Sequence, residues 1–218
     1  MRAILYAMHK EAASPFDGGE LLDNTAGLTL RKRSDELVTC VCGVGKVNAA
    51  LAAQYLIDRF APEAIWNAGV SGCFTDLPVG TLVMASACVQ HDFEVFGDPP
   101  GMIPEVDRVE LPCAASRETL DKLSAAGFDA VSGVVASGDW FQRDCERAAR
   151  IREQFNALVC DMEAGAAAQV CIRNGVRFHA LKCVSDHLFH PSQYDEYQAN
   201  LPAAVARLNQ ALAVIWKE

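Results

Sequence analysis

Short apolar runs alternate with helix-like stretches along almost the whole chain, and three of these runs lead into a carboxylate. Residues 3–8 are followed by Glu11, residues 157–160 by Asp161-Met162-Glu163, and residues 176–184 by Ser185-Asp186. Continuous apolar strands separated by helices predict a sheet covered on both faces, an α/β sandwich. Carboxylates where such strands emerge are costly to desolvate, so packing alone rarely keeps them there. Three acids at three strand ends suit an enzyme site that handles protons and a developing cation.

The remaining pattern supports one domain over residues 1–218. Strands are expected at 2–8, 64–68, 81–88 and 131–136, besides the two that carry the C-terminal acids. Helices are expected at 47–60, 117–126, 143–154 and 164–173. A short helix and loop is expected to carry Glu11. Leu201, Val205, Leu208, Leu212 and Ile215 step by four and three, which marks a closing amphipathic helix. A hairpin-like pair near 28–32 and 37–42 makes the sheet mixed. The fold class is therefore a three-layer αβα sandwich with a mixed central sheet.

Composition excludes several partners. A formal net charge of −9 argues against nucleic acid or an anionic membrane. No apolar run reaches the length of a membrane span, and the first residues do not read as a secretion signal, so a cytoplasmic location is expected. Nine cysteines scattered through apolar segments read as reduced thiols used as small hydrophobes. No Cys-x-x-Cys pair supports zinc.

Several motifs have two readings. Gly43-Val44-Gly45-Lys46 fails the Walker pattern, because Cys40 replaces its first glycine and Val47 its Ser or Thr. A tight strand-to-helix turn and backbone bordering a ligand both fit. Gly69-Val70-Ser71-Gly72 lacks the spacing of a nucleophile elbow and suits backbone amides facing a ligand. His187 and His190 lie in a stretch that Pro191 makes a loop, solvated or gating rather than metal-binding. His91-Asp92 reads as an internal hydrogen-bonded pair. In Ser137-Gly138-Asp139-Trp140-Phe141, Asp139 is expected to tie down backbone amides and Phe141 to offer a planar base a platform. Glu163, taken alone, is a helix-opening carboxylate favoured by the helix dipole.

The order and spacing of these pieces resemble the nucleoside phosphorylase/hydrolase superfamily, and within it the 5′-methylthioadenosine/S-adenosylhomocysteine nucleosidases. The likeness runs through Ala7-Met8 with Glu11, Gly43–Val47, Asn67–Gly72, Pro78-Val79-Gly80, His91-Asp92, Ser137-Gly138-Asp139, Met162-Glu163 and Ser185-Asp186. The resemblance implies a nucleoside phosphorylase-like fold and roles at matching positions. Glu11 orients the attacking water. Glu163 holds the ribose hydroxyls above Met162. Asp186, helped by Ser185, protonates N7 of the purine. Phe141 stacks on the base, and the Gln142 backbone reads its amino edge. Met8, Val44, Gly72 and Tyr194 complete the pocket, while Val95 and Phe96 fall where a partner subunit's 5′-substituent pocket lies, which implies a homodimer. Val70 stands where a serine often lines the water site, and Lys182 where an arginine often does.

That chemistry needs no metal or organic cofactor. Cleaving a purine N-glycosidic bond builds positive charge on the ribose, so it calls for a protonated acid at the base and ionised acids at sugar and water. Asp186 is expected to hold a proton, with Glu11 and Glu163 ionised. An acid at the nucleophile side repels phosphate, which favours hydrolysis over phosphorolysis. Futalosine or aminofutalosine hydrolysis is the near alternative, and a non-catalytic nucleoside-binding relative is the distant one.

Overall fold

The computed structural model describes residues 1–141 and 144–216. In chain order the elements are β1 (Arg2–Tyr6), β2 (Glu20–Asp23), β3 (Thr29–Ser34), β4 (Leu37–Val41), α1 (Lys46–Phe60), β5 (Ala64–Cys73), β6 (Leu82–Gln90) and β7 (Leu111–Pro112). They continue as α2 (Arg117–Ala125), β8 (Ala130–Ser137), α3 (Cys145–Phe155), β9 (Ala157–Asp161), α4 (Ala164–Asn174), β10 (Arg177–His187) and α5 (Gln193–Trp216).

The ten strands form one mixed sheet in the order β10-β6-β8-β9-β5-β1-β4-β3-β2, with β7 beside β6. β10 also pairs with β5, so β5, β9, β8, β6 and β10 close on themselves. The other strands extend from β5 as an open wing.

Alternation along β1 shows how the layers arise. Ala3 and Leu5 pack with Ala52 and Leu56 of α1 and Ala167 of α4. Ile4 and Tyr6 face the other way, against Leu208 and Leu212 of α5 and Leu123 of α2. Two apolar faces thus bury two helix layers, the αβα arrangement expected for the chain. A third cluster joins Ala148, Ile151 and Phe155 of α3 to Phe74 and Leu188.

Four local expectations need correction. Residues 69–72 are not a turn after a strand but the second half of β5. β10 runs beside them in parallel from Arg177 to His187, so their backbone groups are paired and the weak strand propensity of glycine is overridden. Ser185 and Asp186 therefore lie within β10 rather than beyond it. α5 begins at Gln193, well before its apolar stripe, with Pro202 inside it. Its polar first turn carries Asp195 and Glu196, which the positive end of the helix dipole favours. The Glu11 segment is a series of turns, with no helix among residues 7–19. β2 and β7, one largely polar and one two residues long, have no apolar pattern to announce them.

Candidate active site

Glu11 sits in the turns after β1 and is 3% exposed. Its Oε2 accepts from the backbone N–H of Met8 at 2.9 Å, and its Oε1 from that of Val70 on β5 at 3.1 Å. Asn209 of α5 donates to the Glu11 carbonyl at 2.8 Å and is itself completely buried, so the closing helix clamps this turn. A Cβ at position 69 would stand 2.8 Å from Glu11 Oε1, so glycine there is what lets the carboxylate lie on the strand.

Glu163 occupies the N-cap position of α4, yet its side chain makes no capping bond. Asp161 does that work: its Oδ2 accepts from Ala164 N at 2.9 Å. Glu163 instead reaches across the cleft, where Oε1 accepts from Gly45 N at 2.7 Å. Gly45 has φ +102°, open to glycine at little cost, so the Gly43–Lys46 segment is both a tight turn and a donor to the site. Burial first, and the neighbouring Asp161 second, push the Glu163 carboxyl up to about 8. Burial likewise raises Glu11, opposed by the charge of Lys182 and by backbone N–H groups. Both glutamates are thus pushed towards protonation, where simple ionisation was expected.

Lys182 explains why so many acids can gather. It is 1% exposed, and its Nζ lies 2.6 Å from Asp161 Oδ2 and 2.6 Å from Asn67 Oδ1. Desolvation works against its charge, but the fields of Asp161 and Glu163 outweigh that and raise its pKa. Asp161 and Asn67 hold the ammonium, and Lys182 does not line the cavity as its matching position had implied.

Asp186 is 2% exposed near the end of β10. The strand register shifts between Val184 and Asp186, so β10 carries one extra residue there. Such a bulge re-aims a side chain. Ser185 Oγ donates to Asp186 Oδ1 at 2.6 Å, and Gln193 Nε2 donates to Oδ2 at 2.8 Å. Burial raises the Asp186 pKa, and these two hydrogen bonds only partly offset it.

Glu11, Glu163 and Asp186 line one cavity, together with Met8, Val44, Val70, Gly72, Phe141, Met162 and Ser185. Tyr194 does not line it; its ring meets Phe141 edge-on with centroids 6.1 Å apart. Val95 and Phe96 lie away from the cavity on the loop after β6, and Phe96 is fully exposed. Gln142 lies outside the described residues. Sequence reasoning missed Asp161, Trp140, Gln193 and Tyr197 as cavity residues. Gln193 and Tyr197 are four apart on α5, a spacing that puts both on one face once the helix start is known.

Other motifs resolve differently. Asp139 Oδ1 ties down Lys46 N at 2.7 Å, an amide-binding role as expected. His91 and Asp92 are no hydrogen-bonded pair. Asp92 binds Lys46 Nζ at 2.6 Å and Asp139 N at 2.8 Å, while neither ring nitrogen of His91 has a hydrogen-bond partner among the described residues. His187 is not a loop residue: Nδ1 meets Glu196 Oε1 at 2.9 Å and Nε2 meets the Leu77 carbonyl at 2.8 Å. All nine cysteines are free, seven of them buried. No helix among the described residues is long and apolar enough to cross a membrane.

The model of the phosphorylase superfamily matches residues 9–215. The 5′-methylthioadenosine/S-adenosylhomocysteine nucleosidase of Geobacillus kaustophilus (strain HTA426) is 36% identical over 197 residues, 84% of this chain and 83% of that protein. The chain belongs to this nucleosidase family. Among solved structures, the futalosine hydrolase of Helicobacter pylori strain 26695 superposes with a TM-score of 0.90 at 25% identity, covering 98% of this chain and 96% of that one. The Neisseria meningitidis nucleosidase of the same family, solved with methylthio-immucillin-A, gives 0.86 at 25% identity, covering 98% and 97%. The nucleosidase-family fold therefore spans nearly the whole chain, including every element that carries a site acid.

Proposed function

We propose that this chain hydrolyses the N-glycosidic bond of 5′-thio-substituted adenosines, 5′-methylthioadenosine and S-adenosylhomocysteine among them, to adenine and the thioribose. One observation carries the reading. Glu11, Asp161, Glu163 and Asp186 all line the cavity, and no Lys, Arg or His among the described residues does. Such a cleft welcomes a sugar that is becoming cationic and repels a phosphate dianion, so water is the nucleophile.

The geometry supports the roles that the family resemblance implies. Asp186, whose burial raises its pKa and so favours its protonated form, delivers a proton to N7 of the departing base. Electrons of the breaking bond flow into the base, and positive charge spreads over the ribose ring. Glu163 accepts from the ribose hydroxyls, with Met162 beneath the sugar. Their binding, and the positive charge developing nearby, favour its ionised form. Glu11, fixed by two backbone N–H groups, aims water at the anomeric carbon and takes its proton. Phe141 lies against the base. Each well-placed acid or base contributes roughly 10²–10⁴-fold.

The 5′-substituent leaves this cavity towards a second copy of the chain, whose Val95 and Phe96 cover it in a homodimer. Full exposure of Phe96 supports that reading, because a large apolar side chain held in water gains by burial. Nine reduced thiols support a cytoplasmic location. The likeness to a futalosine hydrolase supports a second reading, in which futalosine or its amino form is the substrate.

Incubation with each nucleoside, with and without phosphate, tests these readings. Adenine release from the 5′-thio nucleosides at the same rate without phosphate is expected. Phosphate-dependent formation of a ribose 1-phosphate overturns hydrolysis, and turnover confined to futalosine moves the substrate to the second reading.

A further inference from the structure

Gln193 stands at the start of α5, 7% exposed, and lines the cavity beside Asp186. Its Nε2 donates to Asp186 Oδ2 at 2.8 Å. Its Oε1 is buried and has no hydrogen-bond partner among the described residues. Leaving a buried amide oxygen unpaired is unfavourable, so its retention in a ligand cavity points to a ligand that pairs with it.

The orientation of this amide is dictated by its neighbour. Asp186 Oδ2 can only accept when ionised, so the NH₂ end must face it and the carbonyl end is left for something else. Turning the amide over would set Oε1 against Oδ2, two acceptors together. Only a proton on Oδ2 pointing at the glutamine relieves that clash, and such a proton is then held by the amide instead of the base.

On a purine, N7 and the substituent at C6 lie side by side on one edge. A base placed with N7 at Asp186 sets either its C6 substituent or its C8–H beside the glutamine, and only a C6 amino group gives Oε1 an N–H donor. We infer that Gln193 is a specificity-determining residue: its Oε1 accepts from a 6-amino group and disfavours a 6-oxo group. This rests on the nucleosidase reading above and deepens it, assigning base selection to a side chain that also fixes the carboxyl group. A 6-oxo purine presents an acceptor to an acceptor. It gains a donor only if the amide turns over, at the expense of the Asp186 contact.

The test uses three nucleosides that differ only at C6: 5′-methylthioadenosine, 5′-methylthioinosine and the 6-unsubstituted 5′-methylthio purine riboside. The wild-type enzyme is expected to prefer the 6-amino substrate to the 6-oxo one. Gln193→Met removes the amide at nearly constant volume. It should lower kcat/KM on the 6-amino substrate about 10- to 100-fold beyond any change on the unsubstituted one, collapsing the amino-to-oxo ratio. An equal fall on all three substrates overturns the inference, because Gln193 then serves Asp186 alone. Gln193→Leu, a second apolar replacement of similar size, guards against a misfolded methionine variant. It should show the same collapse of the amino-to-oxo ratio, and a wild-type ratio in either folded variant overturns the inference. A folded wild type that cleaves none of the three overturns the nucleosidase reading and the inference with it.

Discussion

Lys182 Nζ and Asp161 Oδ2 lie 2.6 Å apart with side chains 1% and 2% exposed; Asp161 lines the cavity and Lys182 does not. The pair lets four carboxylates share one cleft. Asp161 neutralises the ammonium locally, while the remaining field of Lys182 favours the ionised forms of Glu11 and Glu163. Lys182→Met strands the Asp161 charge in a dry site, which should cost about 3–5 kcal/mol in urea unfolding. Combining it with Asp161→Asn should restore most of that loss. In the surviving double variant Glu11 loses the cation that favours its ionisation, so the acid limb of kcat/KM that follows Glu11 should move to higher pH. Glu163 is also relieved of the stronger Asp161 field and should not move that way. An unmoved limb would remove Lys182 from the electrostatics of the site.

Asp186 places a pH dependence on folding as well as on catalysis. Burial raises its folded pKa above the ordinary carboxyl value of about 3.9. Between the two values the native state holds a proton that the unfolded chain has released, so stability falls as pH rises through that window. Asp186→Asn has no such slope. Its melting temperature should gain on the wild type as pH climbs from 4 towards neutrality, while turnover drops by about 10² or more and adenine still binds. Parallel melting curves across that range would contradict the linkage. Near-normal turnover would contradict the general-acid role.

The parts of the site legible in the sequence are those whose burial is expensive. Glu11, Glu163 and Asp186 each follow a strand-like apolar run, and a carboxylate there has few uses other than chemistry. Strands and helices with continuous or periodic apolar residues were equally readable. The closed ring was not, because it depends on β5 pairing with β10 across more than a hundred residues, which no local pattern encodes. Gln193 and Tyr197 were hidden because they precede the apolar stripe of α5, where polar residues look like loop. Lys182 was placed on the correct strand but assigned to the cavity. Whether its ammonium turns to the cleft or to Asp161 is decided by a partner on β9, not by its own neighbours in sequence.

Phe96 is 105% exposed and Val95 39% exposed, on a loop after β6 that supplies nothing to the cavity of its own chain. In the proposed dimer they roof the partner's 5′-substituent pocket. Phe96→Ala should leave the thermal stability of the protomer almost unchanged, since the ring is buried against nothing within it. KM for 5′-methylthioadenosine should rise about tenfold, the effect of losing part of a buried aromatic contact. Purine release from adenosine, which lacks the 5′-thio group, should change much less. Unchanged KM for the thio nucleoside in a dimer confirmed by light scattering would place the loop elsewhere.

His187 follows Asp186 directly and is gripped on three sides by groups that accept. Glu196 takes its backbone N–H at 2.8 Å and its Nδ1 at 2.9 Å, and the Leu77 carbonyl meets Nε2 at 2.8 Å. A carbonyl can only accept, so Nε2 carries a proton. The carboxylate favours a proton on Nδ1 as well, so the two contacts together favour the imidazolium. Desolvation opposes that charge, but the bonds and field of Glu196 outweigh it and raise the pKa. The sign is that of a base gaining a partner on folding. The contribution is full below the unfolded value of about 6.5 and is lost as pH rises through the folded one. NMR titration of the His187 ring should therefore give a pKa above 6.5 that falls in Glu196→Gln. His187→Gln should flatten the decline in melting temperature above neutral pH. Because the clamp holds the strand end that presents Asp186, its loss should lower kcat more than it raises KM. A ring pKa at or below the unfolded value would show that the two contacts hold a neutral imidazole and that the clamp carries no charge.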